Sequence, residues 1–187
     1  FKEFIKKTNI TKNPKIELEE VGVPHQLNWN KCKLETVSFG HGITTTPLQA
    51  TALYAAMSNG GELITPSLIK KRRIENSKRI ISKTTSEKLS RILRKVVSSK
   101  EGTASLADKE GYYVGGKTGT AESYIGKKNR INTFISVFPT HRPNYVLFVM
   151  LENPKINREL IYDYRGVRTK APYNTSGWNS VYVAGKI

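Results

Sequence analysis

The sequence of 187 residues has one cysteine, Cys32, and three histidines, His25, His41 and His141. A single cysteine cannot form a disulfide within the chain, and Cys32 lacks the surrounding histidine and asparagine of a thiol nucleophile. We therefore expect Cys32 to be a small buried apolar residue. The three histidines lie far apart and show no metal-ligand spacing, so the sequence predicts no metal site and no cofactor.

Long hydrophobic runs are also missing. The apolar runs at residues 131–138 and 145–151 have the length of strands, and neither a signal peptide nor a spanning helix is visible. The sequence begins at Phe1 and not at methionine, so we expect a piece of a longer protein. A hydrophobic content of 37% with all three aromatic residue types predicts a globular chain.

Acidic residues are few, 15 against 31 lysines and arginines, which gives a formal net charge of +16. Such an excess can indicate nucleic-acid binding. Here the basic residues are scattered, and no RNA-recognition, helix-turn-helix or zinc-finger pattern accompanies them. The basic run at residues 70–73 is more typical of a solvated face. We expect a lysine-rich surface suited to an anionic membrane or cell wall, and no specific nucleic-acid partner.

The order of patterns predicts helices followed by a run of antiparallel strands, which is typical of an α+β layer fold. Pro47 directly after three threonines predicts a capped helix start. Helices are predicted at residues 1–7, 47–57, 82–99 and from 178 onward, with Thr175 or Ser176 as the last cap. Strands are predicted at residues 112–123, 131–138 and 145–152, and a long polar loop at 153–176.

The most informative stretch is residues 115–122, which reads Gly-Gly-Lys-Thr-Gly-Thr-Ala-Glu on a predicted edge strand. A cationic head beside two hydroxyls on an exposed strand can recognise a carboxylate, and a glycine lets a ligand backbone approach closely. The alternative is a solvated edge strand, where threonine is favoured and lysine discourages aggregation. Other short sequence motifs in the chain, here called boxes, decide between the two interpretations.

These boxes occur in a fixed order along the chain. They are Ser-Phe-Gly-His-Gly at 38–42, Thr-Pro-Leu-Gln at 46–49, Gly-Thr-Ala at 102–104, the Lys-Thr-Gly stretch at 115–122 and Gly-Trp-Asn at 177–179. Together they resemble the transpeptidase domain of class B penicillin-binding proteins, most like the division-specific peptidoglycan D,D-transpeptidases. The resemblance implies part of a penicillin-binding-protein/serine β-lactamase-like fold, with an antiparallel sheet flanked by helices. Residues 1–187 would form the C-terminal portion of that one domain.

The resemblance also implies a mechanism. An acyl-serine enzyme would attack the D-Ala-D-Ala end of a peptidoglycan stem peptide, and β-lactams would mimic that end. Lys117 and Thr120 would be catalytic: the lysine supplies positive potential and helps move a proton. The N–H of Thr120 donates half of an oxyanion hole, worth about 3 kcal/mol in comparable enzymes. The hydroxyls of Thr118 and Thr120 would bind the substrate carboxylate, and Gly119 would keep the edge open for an added strand.

The family places this activity at the periplasmic face of the bacterial inner membrane, anchored by a segment outside this chain. Its implied partners are stem peptides, β-lactams as inhibitors and proteins of a division or elongation complex. His41 receives no chemical role from the resemblance and is expected to belong to a structural turn. Tyr112 and Tyr113 are expected to pack on a strand. Glu122 and Glu152 lie on separate strands, with nothing in the sequence to bring them together as an acid–base pair.

The sequence departs from the family in its first two boxes, the Ser-x-x-Lys nucleophile and the Ser-x-Asn relay. Ser67 to Lys70 match the first only as letters, because their segment is predicted to be extended and the chemistry needs one helical turn. Residues 11–13, Thr-Lys-Asn, are a similar chance match. We therefore expect both true boxes upstream of Phe1, and no activity from this fragment alone.

Other functions stay open at this point. A non-catalytic penicillin-binding sensor or scaffold would keep the fold and lose the serine. A β-lactamase is disfavoured by the Gly-His-Gly box and by Ala121 and Glu122 after the triplet. A basic nucleic-acid-binding module would show a steep salt dependence of binding.

Overall fold

The computed structural model describes residues 1–70, 77–123 and 129–187. The chain divides into two compact units, Phe1–Ser86 and Glu87–Ile187, each with its own hydrophobic core. Most of the basic run at 70–73, and most of the expected link at 124–130, lie outside the described residues. Within the described residues, no helix combines the length and the apolar character needed to cross a membrane.

The first unit is mainly helical. Its elements are α1 (Lys2–Thr8), α2 (Lys33–Ser38), α3 (Pro47–Ser58) and a two-stranded antiparallel ladder of β1 (Glu62–Leu63) and β2 (Lys78–Arg79). Helices α1 and α3 confirm the prediction, whereas the short helix α2 was not predicted. The expectation for Cys32 is wrong, because it is exposed and precedes α2 in the left-handed conformation with φ 61°.

Helix α3 begins as the sequence predicts. Thr46 Oγ1 accepts a hydrogen bond from Gln49 N at 3.2 Å, and Thr46 N donates to Gln49 Oε1 at 3.4 Å. With Pro47 in the first turn, this is a complete capping box. Gln49 Nε2 also donates to the carbonyl of Asn9 at 2.9 Å, which ties α3 to the end of α1.

The second unit is built on a three-stranded antiparallel sheet. The division between the units falls in the first turn of α4 (Lys83–Ser98), and a 3₁₀ helix, Ser105–Ala107, follows. The sheet contains β3 (Gly115–Ser123), β4 (Asn129–Phe138) and β5 (Tyr145–Glu152) in the order β3-β4-β5. Strand β3 therefore lies at an edge of the described sheet. The antiparallel sheet and its helices confirm the α+β class.

The register of the sheet decides which side chains share a face. Thr118 lies opposite Phe134, and Thr120 lies opposite Asn132. Because side chains alternate along a strand, these four residues point to one face, whereas Lys117 and Gly119 point to the other. Phe134 is fully buried on the first face. It belongs to a core that also contains Val97, Ala104, Ala107, Val114 and Val181.

Two predicted boundaries are wrong. Strand β3 begins at Gly115, and the preceding Tyr112 and Tyr113 are 61% and 53% exposed. Tyr113 has φ 50°, a left-handed conformation that interrupts an extended strand, so neither tyrosine packs on a strand as expected. Asn179 caps the last helix, α5 (Ser180–Ala184), by accepting from Ser180 N at 2.6 Å, whereas neither Thr175 nor Ser176 does so.

The predicted polar loop at 153–176 is also wrong, because it contains a hairpin of β6 (Ile161–Tyr164) and β7 (Val167–Lys170). Arg165 and Gly166 form its turn with φ 57° and 76°, the left-handed pair that a tight hairpin requires. Tyr162 is only 5% exposed and contacts the rings of Trp178 and Tyr182, with centroid distances of 5.4 and 5.0 Å. The aromatic contacts dock the hairpin.

We expect Phe134→Ala to destabilise the second unit by about 3–5 kcal/mol, because a fully buried ring is lost and a cavity remains. The measurement is urea unfolding of the protein that carries this sequence. Ile92→Ala is the control, since Ile92 on α4 is 56% exposed and should lose little. Equal losses for the two variants would contradict the assigned core.

A second prediction concerns pH. Burial, and next the repulsion from Tyr182, raise the pKa of Tyr162 above the ordinary value of 10.0. Its contribution to stability is therefore complete below about pH 10 and is lost as the pH rises through the folded-state pKa. Tyr162→Phe should flatten the fall of unfolding free energy measured above about pH 10. Tyr173→Phe, at a 69% exposed position, should leave that fall of the unfolding free energy unchanged. A larger effect of Tyr173→Phe than of Tyr162→Phe would refute the role given to Tyr162.

Candidate active-site strand

Strand β3 places a lysine and two threonine hydroxyls along the edge that has no partner strand among the described residues. Lys117 Nζ donates to the carbonyl of Thr118 at 2.9 Å and lies 3.4 Å from its hydroxyl. The Cβ of Lys117 is on the face of β3 opposite to the two threonine side chains. Its long side chain bends around the strand edge, so that the ammonium contacts Thr118. Lys117 and Thr120 are exposed, and Thr118 is half-buried. The structure thus brings the predicted groups together.

Each threonine hydroxyl has a second hydroxyl beside it. Thr118 Oγ1 lies 3.2 Å from Thr103 Oγ1, just before the first 3₁₀ helix. Thr120 Oγ1 lies 2.9 Å from Ser176 Oγ, in the second 3₁₀ helix, Ser176–Trp178. Sequence reasoning assigned neither partner a role: Thr103 was only part of the Gly-Thr-Ala box, and Ser176 only a possible cap. Thr120 and Ser176 are 56 positions apart, so no local sequence pattern indicates that their hydroxyls are in contact.

A glycine is required at position 119 by the packing of neighbouring side chains, in addition to the open strand edge. Its carbonyl accepts from Thr133 Oγ1 at 3.3 Å on β4, and also from Ser176 Oγ. A Cβ on Gly119 would lie 2.5 Å from Thr133 Oγ1, closer than side chains tolerate. The β-branched Thr133 has few alternative rotamers. Its hydroxyl therefore occupies the space that any other residue at position 119 would need.

Two ion pairs fix the strand at its ends. At the start, Arg94 Nη1 donates to the carbonyl of Val114 at 2.7 Å and pairs with Asp108 at 2.8 Å. At the other end, Glu122 accepts from Arg130 Nη2 at 2.5 Å and from its Nε at 3.2 Å. The cross-strand pair on β4 gives Glu122 a structural partner. Glu152 lies on β5 and accepts from Asn129 Nδ2 at 3.4 Å.

The same arginine fixes the segment that carries Ser176. Arg130 Nη1 donates to the carbonyl of Asn174 at 3.0 Å, and Asn179 Nδ2 donates to Asn174 Oδ1 at 3.0 Å. Ser180 Oγ donates to the carbonyl of Ser176 at 3.2 Å. These bonds hold the second 3₁₀ helix against the sheet and so set the position of the Ser176 hydroxyl.

Asn132 is a further polar residue under the strand. It is fully buried opposite Thr120, and neither its amide nitrogen nor its amide oxygen has a partner among the described residues. A buried amide without partners costs stability, so it is out of place in a purely structural strand. The signal was present in the sequence as a polar residue within the apolar run 131–138, but it was not used.

The remaining sequence candidates lie in the first unit. Ser67 Oγ donates to Glu17 Oε1 at 2.6 Å and accepts from Ile69 N at 3.1 Å, in a segment without helix. Ser67 and Lys70 are therefore not one helical turn apart, in agreement with their rejection as a nucleophile box. Gly40 and Gly42 have φ 92° and 70°, so His41 lies in a tight turn as expected.

An ammonium beside two supported hydroxyls on an edge strand has the chemistry that suits a carboxylate next to an extended peptide. Comparison with known families identifies the class of protein. Residues 1–173 match the family described as the penicillin binding protein transpeptidase domain. The chain belongs to this family, and its relatives place it in class B, as the sequence predicted.

Two curated relatives illustrate the match. A probable peptidoglycan D,D-transpeptidase FtsI of Caulobacter vibrioides is 30% identical over 99% of this chain and 32% of its own length. The stage V sporulation protein D of Bacillus subtilis is 38% identical over 64% of this chain and 21% of its own length. The chain thus spans about a third or less of these proteins.

Solved structures confirm the fold. The transpeptidase domain of penicillin-binding protein 3 from Burkholderia pseudomallei matches with a TM-score of 0.79 at 23% identity, covering 98% of this chain and 54% of that one. Penicillin binding protein 3 of Mycobacterium tuberculosis matches with a TM-score of 0.78 at 22% identity, covering 99% and 45%. The predicted penicillin-binding-protein fold is therefore correct.

We expect Gly119→Ala to destabilise the protein by about 1–3 kcal/mol through the clash with Thr133 Oγ1. In a Thr133→Ala background the nearest obstacle is removed, because the Cβ of residue 133 lies 3.9 Å away. The double variant should therefore be more stable than the sum of the two single changes predicts, as measured by chemical unfolding. Strict additivity would show that Thr133 does not determine the glycine.

Proposed function

We propose that this chain forms one wall of the active site of a peptidoglycan D,D-transpeptidase. The observation that carries the proposal is the edge strand with Lys117, Thr118 and Thr120, in a chain that belongs to the transpeptidase family. Relatives are named as probable peptidoglycan D,D-transpeptidases or as a homolog of one. The reaction would be acyl-serine cross-linking of stem peptides at D-Ala-D-Ala.

The substrate would lie along the free edge of β3. An extended stem peptide can add to an edge strand through backbone hydrogen bonds. Its terminal carboxylate would accept from the hydroxyls of Thr118 and Thr120, with the Lys117 ammonium beside them as a compensating charge. The N–H of Thr120 would donate to the oxyanion that forms when the scissile carbonyl is attacked.

β-Lactams would occupy the same place because their anionic group and ring amide copy the end of the stem peptide. The penicillin binding protein 3 of Mycobacterium tuberculosis has been solved in complex with aztreonam. This chain matches that structure with a TM-score of 0.79 at 22% identity, over 99% of this chain and 44% of that one. We extend β-lactam binding to this protein on that basis.

The serine nucleophile would come from sequence outside these 187 residues. Ser67 to Lys70 is the one Ser-x-x-Lys string here, and Ser67 is engaged by Glu17 in a non-helical segment. The chain also covers only 54% of a solved transpeptidase domain. We therefore propose that residues 1–187 are the C-terminal portion of one such domain, inactive without the rest.

The cellular setting belongs to the same proposal. Cross-linking of peptidoglycan would take place at the periplasmic face of the inner membrane, with an anchor outside this chain. The basic surface, with a net charge of +16, suits an anionic membrane or wall. The partners would be proteins of a division complex, with an elongation complex as the alternative.

The test is labelling of the complete protein with a fluorescent penicillin. We expect a covalent adduct, and we expect Lys117→Ala to slow its formation by roughly 100-fold because the site loses its cation. Lys88→Ala removes an equal charge from an exposed position on α4 and should label like the wild type.

Absence of any adduct would refute the transpeptidase proposal. An adduct without cross-linking of stem peptides would point to a penicillin-binding sensor, and rapid hydrolysis of the adduct would point to a β-lactamase. Equal labelling of the Lys117 and Lys88 variants would remove the role given to Lys117.

A further inference from the structure

The hydroxyl of Ser176 lies directly behind the carboxylate-binding edge. It is 2.9 Å from Thr120 Oγ1 and also donates to the carbonyl of Gly119. Ser176 is 1% exposed, whereas Thr120 is exposed. A ligand on the edge of β3 can therefore touch Thr120 but not Ser176. Any influence of Ser176 on the ligand has to pass through Thr120.

The influence of Ser176 follows from the single hydrogen on each of the two hydroxyl groups. Each hydroxyl has one hydrogen to donate, and a carboxylate can only accept. While Ser176 donates to Gly119, the contact with Thr120 requires Thr120 to donate to Ser176. In that arrangement Thr120 has no hydrogen left for a carboxylate. Thr120 can serve the ligand only if the contact reverses and Ser176 donates to Thr120.

The surroundings allow this reversal without leaving a polar group unpaired. When Ser176 turns its hydrogen away, the Gly119 carbonyl keeps its bond from Thr133 Oγ1 at 3.3 Å. Ser176 itself stays in place, because its carbonyl accepts from Ser180 Oγ at 3.2 Å. The hydroxyl can rotate while the backbone does not move.

We propose that Ser176 is a positioning residue that switches its hydrogen from Gly119 to Thr120 when a carboxylate binds. The donated hydrogen bond fixes the Thr120 hydroxyl toward the ligand. A hydroxyl that accepts one hydrogen bond is also a stronger donor of the next, because neighbouring bonds in a chain polarise each other. This inference rests on the proposed function, since it needs a carboxylate on the edge of β3.

The experiment measures the rate of adduct formation by a fluorescent penicillin on the complete protein at sub-saturating concentration. Ser176→Ala should slow the reaction about three- to ten-fold, the scale of one ordinary hydrogen bond. Ser136→Ala is the matched control. It also removes a buried hydroxyl from the second unit, but that hydroxyl donates to the Leu147 carbonyl at 3.4 Å and not to Thr120.

A double-mutant cycle separates positioning from a general structural effect. In a Thr120→Val background, which keeps the branched shape and removes the hydroxyl, Ser176→Ala should have no further effect on the rate. An unchanged fold-loss in that background would overturn the inference. So would a Ser176→Ala rate equal to that of the wild type or of the Ser136→Ala control.

Two further outcomes are distinguishable. If the wild type forms no adduct, the proposed function fails and this inference fails with it; if the wild type reacts, only the Ser176 comparison decides. If thermal unfolding shows that Ser176→Ala does not fold, Ser176→Cys replaces it. A thiol is a weak donor, so the cysteine variant should also react more slowly and lose its effect in the Thr120→Val background.

Discussion

The candidate site depends on the antiparallel pairing of β3 with β4, which leaves the other edge of β3 unpaired in the described sheet. An unpaired edge is normally a hazard, because its free N–H and C=O groups invite other strands. Here it carries Lys117 and two threonines, which suit a charged peptide end. The register also places Phe134 opposite Thr118, so strand β3 packs on the largest fully buried side chain among the described residues.

A second constraint is the layer of polar groups between that strand and the helices. Ser176 and Asn132 are buried where an ordinary core would have apolar side chains. The cost of burying them is consistent with a site that has to control hydroxyl directions. The link from Glu122 through Arg130 to Asn174 connects the strand to the segment of Ser176, so binding edge and support are fixed together.

Elements with local signals could be predicted from the sequence. The capping box of Thr46 and Gln49, the spacing of α4 and the apolar run of β4 each have a cause within a few residues. The hairpin of β6 and β7 was missed because its charged residues hide the alternation around Tyr162. For the site, Lys117 and Thr118 came from a motif. Ser176 could not be found, because its partner is 56 positions away and only folding joins them.

The central claim is that the unpaired edge of β3 holds a carboxylate. A crystal structure of the complete protein after reaction with a penicillin tests it most directly. The account predicts the penicillin carboxylate within hydrogen-bond distance of the Thr118 and Thr120 hydroxyls, with the Lys117 ammonium beside it. A covalent adduct whose carboxylate lies away from β3, on other residues, would contradict the account.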